Sequence, residues 1–449
     1  MIGEAALKAA ADGVLRRARR AGGAGAGAEV VLVARDAALT RFAENQIHQH
    51  VGERDVDVHV RVALGKRVGG ASVNGLDAAA LDRVVERALT AARLQRENPD
   101  FPGFPEASPL PAAPDGAGYA AATAAATPEA RADRAGIVCR RAAAAGMSSA
   151  GACSTSVREE VVANSAGTYA YQTGTTARLL TVVSGDTSSG YGDRQGPDFA
   201  ALDAESVAEE AAGKAERGRD PRDLDPGVYD VVLEPYAAED VLSFVAYLGL
   251  QGRAVLEQTS FAAGKLGQRL LSEAVTLRDD PLDPAGLVDR FDAEGVPKRP
   301  LTLVDRGVVR AVTYDRLTAA RAGTQSTGHA TRGASFFGPV AAHLSLEPGA
   351  LTRAELIGKI DRGLLITRFW YTRPVHPLSV TVTGMTRDST FLIERGEVTR
   401  PVKNLRFTQS YVAALGRVLG VGREAQLTDG VRTPAIALGG FTFTGKSDY

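Results

Sequence analysis

Two periods of apolar residues alternate along the chain, one helical and one of two residues. The stretch Asp55-Val56-Asp57-Val58-His59-Val60-Arg61-Val62 alternates polar and apolar strictly, the pattern of a strand with one wet and one buried face. Gly65-Lys66 reads as a turn and Arg67 to Val73 as the returning strand. Glu29 to Ala34 (EVVLVA) is another strand. Residues 4–21 and 77–95 carry apolar side chains at helical spacing. The order helix, strands, helix predicts an antiparallel sheet with helices on one face.

Residues 96–118 break the pattern with a dense run of prolines, which predicts a long surface connection. A similar series then resumes: a helix over 128–146, a meander of strands over 148–184 turning near Ser165-Ala166-Gly167, and a helix over 204–217. Turn residues cluster from Arg217 to Gly227, and the texture changes there. Tyr229 to Leu233 reads as a strand and 237–249 as an apolar helix. From 270 onward short strands are expected between Gly, Pro and Asp turns. The predicted fold is therefore α+β. A sheet-plus-helix N-terminal domain spans 1–220, with its proline-rich connection at 96–118. A β-rich, barrel- or sandwich-like C-terminal domain spans 226–449.

Composition adds mainly exclusions. A chain of 449 residues with 44% hydrophobic and 23% charged residues buries a sizeable core without difficulty. A net charge of −1 argues against a broad nucleic-acid interface, which draws its affinity from Lys/Arg–phosphate contacts. Arg16, Arg17, Arg19 and Arg20 read as a solvated helix face. The two cysteines, Cys139 and Cys153, form no disulfide framework and fit reduced, buried thiols. No basic, then apolar, N-terminal stretch and no run of about 18 apolar residues occurs, so a cytoplasmic location without membrane contact is expected.

Candidate chemistry is sparse. His48 and His50 share a strand face, a weak metal signal, and His59 reads as exposed and His343 as structural. No HExxH, GxSxG or GxxxxGK[ST] motif is present. Asp279-Asp280 and Asp292-Ala293-Glu294 are paired carboxylates, but each precedes Pro or Gly and reads as a turn.

Several ordered segments carry a resemblance. They include Thr40 to Gln49 (TRFAENQIHQ), Ser260-Phe261 with Gly264-Lys265-Leu266-Gly267, Asp279-Asp280-Pro281 and Phe291 to Pro297 (FDAEGVP). Ser326 to Arg332 (STGHATR), Leu346 to Gly349 (LEPG) and Ile393 to Val398 (IERGEV) with Pro401-Val402 come after them. Together they resemble the PmbA/TldE and TldD family, also called modulator of DNA gyrase. The resemblance implies a heterodimer of two subunit kinds that encloses a site for small unfolded or modified peptides. The TldD kind carries HExxxH on a helix early in its second domain, and a downstream Cys. Two such histidines can hold one zinc ion while the Glu activates its water.

Here the corresponding slot falls near Ser243 to Leu248, which holds neither His nor Glu, and no Cys follows Cys153. Val241, Phe244, Val245 and Leu248 form an apolar stripe instead. The resemblance thus implies the PmbA/TldE side, with no catalytic residue, no metal and no cofactor in this chain. Zinc is expected in an HExxxH-bearing, TldD-like partner. The segment Arg368-Phe369-Trp370-Tyr371-Thr372-Arg373 departs from the family pattern and holds the only Trp. Arg332, Arg368, Trp370, Tyr371 and Arg373 are the candidate substrate-binding residues, since arginines and aromatics grip extended peptides. Strand alternation predicts Arg368 and Trp370 toward substrate and Phe369 and Tyr371 in the core. Two other readings stay open: a stand-alone binding or gyrase-modulating protein, and an enzyme using His329, Arg332, Asp388 and His376.

Overall fold

The computed structural model describes residues 1–332 and 338–447. Six antiparallel strands form the first sheet: β1 (Ala26–Ala43), β2 (Gln46–Leu64), β3 (Arg67–Asn74), β4 (Ser148–Asn164), β5 (Tyr169–Ser184) and β6 (Ser189–Gly196). Their order is β3-β2-β1-β4-β5-β6. The alternation in β2 works as expected: Val58, Val60 and Val62 are fully buried, in one core with the helices Glu4–Gly22 and Ala78–Leu94. Helices Pro128–Ala144 and Ala204–Arg217 cover the β4–β6 half. Asp77, Thr127 and Asp203 cap three of these helices, each side chain accepting the backbone N–H three residues on. Sequence periodicity does not reveal β6, because SGYGDRQG has no apolar alternation. Gly190 and Gly192 are needed there, since a Cβ at either would strike the backbone of helix Ala204–Arg217.

The second half contributes β7 (Gly227–Leu233), β8 (Leu277–Asp279), β9 (Leu301–Asp305), β10 (Val308–Val309), β11 (Leu344–Leu346) and β12 (Arg362–His376). It continues with β13 (Thr381–Glu394), β14 (Glu397–Val402), β15 (Leu405–Ser410), β16 (Val418–Thr428) and β17 (Val431–Lys446). Strands β7, β12, β13, β15 and β17 pair in turn, and β17 pairs back to β7, which closes a five-stranded ring. The α+β class and the barrel-like second half are therefore present. The expectation of short strands is corrected: β12, β13 and β17 run to 15, 14 and 16 residues. Their Gly, Pro and Thr interrupt the apolar pattern, but ring closure supplies hydrogen-bond partners that local sequence does not announce.

The apolar helix Pro235–Gly249 follows β7, and its Val241, Leu242 and Val245 share the main core with Ile366, Phe369, Phe407 and Phe441. The proline-rich stretch is pinned rather than loose. The Pro105 carbonyl accepts from Asn164 and Thr168, Leu110 packs against Val31, Val33 and Phe291, and the Pro111 carbonyl accepts from Arg290. Both cysteines are free and buried, and burial pushes the Cys153 thiol up to about 12. Among the described residues no helix is long and apolar enough to cross a membrane.

Candidate functional site

The segment Arg368–Arg373 lies where β12 outruns β7, whose pairing with it ends at Ile366. Register with β13 slips between Trp370, opposite Met385, and Arg373, opposite Thr383. Three steps on β12 meet two on β13, so one residue is extra, and Tyr371 takes the left-handed conformation at φ 55°. A bulge of this kind re-aims side chains.

The expected alternation therefore holds only as far as Trp370. Phe369 is buried, its ring 4.5 Å from Phe407 and 5.6 Å from Phe441. Arg368 and Trp370 come together on the other face, the guanidinium 5.0 Å from the indole. Tyr371, expected in the core, is 66% exposed because the bulge turns it outward beside Trp370. Arg373 stacks on its ring at 4.7 Å.

These residues line a cleft of about 460 Å³ together with Tyr191, Tyr236, Glu239 and Asp240. Arg368 is fixed from below. It pairs with the buried Asp388, which also accepts from Ser189 Oγ at 2.8 Å, and its guanidinium lies 4.3 Å from the Tyr191 ring. Arg387 sits 5.1 Å from the Trp370 ring. Cation–π contacts of this kind hold the indole in place.

On the helix side, Glu239 accepts from Ser243 Oγ at 2.6 Å. Asp240 accepts from Tyr411 Oη at 2.7 Å and Thr372 Oγ1 at 2.8 Å. Burial pushes the Glu239 carboxyl up to about 8, with Asp240 adding to the rise, and pushes Asp240 up to about 6. Neither acid stood out in the sequence, since nothing local tells a helix carboxylate facing a cleft from one facing water.

Arg332 does not join this cleft. Its Nε lies 4.0 Å from Glu160 of β4, at the contact between the two halves. The other residues weighed as an unrecognised active site are also dispersed. Asp388 lies beneath Arg368, whereas His376 is exposed and contacts Ser379 at 3.0 Å. His329 is wholly buried, with Nε2 3.0 Å from Asp279 and Nδ1 2.9 Å from Thr327.

Asp279 is thus no turn residue, as its place before Pro281 suggested. It ends β8, fully buried, and accepts from the His343 N–H at 2.7 Å. His343 in turn contacts Asp289 at 3.2 Å and Lys298 at 3.4 Å, and Arg158 of β4 pairs with Asp289. This cluster ties the two halves together. Asp292 fits the turn reading: its carboxylate accepts from Glu294 and Val296 N–H. His48 lies on the exposed β1–β2 hairpin, and the neighbouring His50 contacts Thr40 at 2.9 Å.

The Ser243–Leu248 slot offers no metal ligand set. Val245 and Ala246 are buried, and Phe244 packs against Tyr411 at 6.1 Å. Among the described residues no group of three His, Cys, Asp or Glu side chains could hold a metal ion. The residues present do not fit a zinc centre of the HExxxH kind.

Fold and sequence together define a two-sheet protein of a metallopeptidase family. Three family models match: PmbA/TldA metallopeptidase domain 1 over residues 28–92, the central domain over 117–219 and the C-terminal domain over 226–445. The chain belongs to the PmbA/TldD family.

Among relatives, a metalloprotease of Methanothermobacter thermautotrophicus is 30% identical over 208 residues, 45% of this chain and 44% of that protein. The metalloprotease PmbA homolog of Haemophilus influenzae is 23% identical over 242 residues, 54% of this chain and 51% of that protein. The matched segments span about half the length of these relatives. TldE from Thermococcus kodakarensis superposes with a TM-score of 0.88 at 22% identity, covering 97% of this chain and 100% of that one. A putative modulator of a DNA gyrase from Thermotoga maritima gives 0.84 at 19% identity, covering 98% and 100%. At these identities the structural likeness speaks for the fold.

Proposed function

We propose that this chain is the zinc-less, non-catalytic subunit of a TldD/TldE-type metallopeptidase that cleaves small unfolded or modified peptides. The observation that carries the reading is the apolar helix Pro235–Gly249. In the slot where the TldD kind carries HExxxH, this chain has Ser243-Phe244-Val245-Ala246-Tyr247-Leu248. Two residues of that slot are committed to the core. The remaining histidines of the second half give no alternative centre: His329 and His343 are tied into the buried Asp279–Asp289 cluster, and His376 sits apart at the end of β12. Zinc and the water it activates belong, in this reading, to an HExxxH-bearing partner.

This chain contributes the cleft. Arg368, Trp370, Tyr371 and Arg373 offer planar and charged surfaces to an extended peptide, held rigid by Asp388 and the bulge. Arg332, placed apart against Glu160, has no part in that grip.

Elemental analysis tests the first half of the proposal. The purified chain is expected to hold well under one zinc per molecule after dialysis against micromolar zinc. One tightly held zinc per chain would contradict it.

A further inference from the structure

The seam between the two halves gathers more buried negative charge than positive at one point. Arg61 of β2 reaches Glu29 of β1 at 2.7 Å and, with the same nitrogen, Glu294 of the second half at 3.0 Å. One guanidinium nitrogen thus bridges two carboxylates. Asp292 lies two residues before Glu294 and is buried with it. Arg316, at the start of the helix Arg316–Ala322, donates its backbone N–H to the other Glu294 oxygen at 3.1 Å. Three acids therefore face two guanidiniums, those of Arg61 and Arg316. Glu29 Oε2 and Arg316 Nε are buried without a hydrogen-bond partner. His59, beside Arg61 on β2, is held below its ordinary value by burial and by Arg61, so it brings no charge at neutral pH. Asn164 of β4, opposite Glu29, and Phe104, whose ring lies 5.6 Å from the Arg61 guanidinium, are uncharged.

A buried carboxylate without a full counter-charge is costly, and taking up a proton removes that cost. Burial pushes the Glu29 carboxyl up to about 7 against the opposing charge of Arg61, and Glu294 adds to the rise. Burial and Glu294 push Asp292 up to about 7 as well, against three backbone N–H groups. Acids coupled through a shared neighbour titrate as a unit. The joint they form is tight. A Cβ on Gly295 would come within 2.7 Å of Thr168, so the turn Phe291 to Pro297 lies directly on the first half. Arg316 also reaches the Gly103 carbonyl of the proline-rich connection at 3.4 Å.

We infer that this joint is a pH-sensitive latch: Glu29, Asp292 and Glu294 share one proton, and its loss loosens the turn Phe291 to Pro297 from the first sheet. The folded joint keeps a proton that the unfolded chain releases near the ordinary carboxylate range, about 4. The latch is therefore tight in mild acid and weakens as pH rises through about 7. The Asp279–Asp289 cluster does not follow it. Despite burial, His329 on Asp279, and His343 and Arg158 on Asp289, hold both carboxyls well below the usual range, so these acids stay ionised throughout. The loosening is local, a hinge beside a fixed contact.

Hydrogen–deuterium exchange on the full chain tests this, with each rate expressed against the intrinsic rate at the same pH. Between pH 6 and pH 9 protection of residues 292–298 is expected to fall on the order of tenfold or more, while that of 277–279 and 344–346 holds. Glu29→Gln, nearly isosteric, leaves two acids facing two guanidiniums, so the fall should vanish in that variant. Glu294→Gln restores the same balance from the other side of the seam and should do likewise, which keeps the test open if Glu29→Gln folds poorly.

A fall of unchanged size in these variants overturns the shared proton. Protection of 292–298 that is independent of pH in the unmodified chain overturns the latch. A fall that includes 277–279 and 344–346 to the same degree overturns the local hinge, because the halves then part together.

Discussion

His329 Nε2 lies 3.0 Å from the Asp279 carboxylate, and neither side chain has any solvent exposure. Burial alone would raise the Asp279 carboxyl, but the hydrogen bond and charge of His329, with Lys298 and His343, hold it well below the usual carboxylate range. A carboxyl depressed in the folded state contributes stability that is complete above its unfolded value of about 4 and is lost as pH falls below it. Asp279→Asn is therefore expected to cost about 3–5 kcal/mol at pH 7, the usual penalty for breaking a buried ion pair. The gap to the unmodified chain should narrow as pH falls from about 4 toward 2. Denaturant unfolding at several pH values checks this, and a gap that stays constant down to pH 2 would count against it.

Glu239 predicts the opposite slope. Burial pushes its carboxyl up to about 8, above its unfolded value. The folded chain then keeps a proton that the unfolded chain releases, so stability is lost as pH rises from the unfolded value through about 8. Gln holds the same shape without ionising. The melting temperature of Glu239→Gln should rise relative to the unmodified chain between pH 5 and pH 9. A difference that is flat or falls with pH would show that Glu239 ionises freely.

Trp370→Ala should lower peptide cleavage by a reconstituted two-subunit enzyme at least tenfold while the complex stays intact. The indole is 44% exposed and held between Arg368 and Arg387, so its loss removes contact surface rather than core. Unchanged cleavage rejects a substrate role. Loss of the complex itself moves Trp370 to the subunit contact.

Much of the fold was legible because its signals are local. The alternation at Asp55–Val62, the helical spacing at 77–95 and the helix expected over 204–217 each found their element. The missed features depend on distant partners. β6 exists because Gly190 and Gly192 admit a helix backbone, and the long strands of the second half exist because the ring closes. At the candidate site the pairing of Arg368 with Trp370 followed from alternation, whereas the exposure of Tyr371 did not. A single extra residue on β12 reverses the facing of the side chains beyond it, and no residue near Tyr371 marks the slip. Asp279 read as a turn because Pro281 comes soon after it. Its burial depends on His329, fifty residues away.

Peptide hydrolysis by this chain should require a zinc-bearing partner. The direct measurement is cleavage of a fluorogenic unstructured peptide by the purified chain, by an HExxxH-bearing homologue from the same organism, and by the two mixed. The expected result is no turnover by this chain alone, turnover by the mixture, and its loss on adding a chelator. Chelator-resistant turnover by this chain alone would contradict the assignment of a non-catalytic, zinc-less subunit.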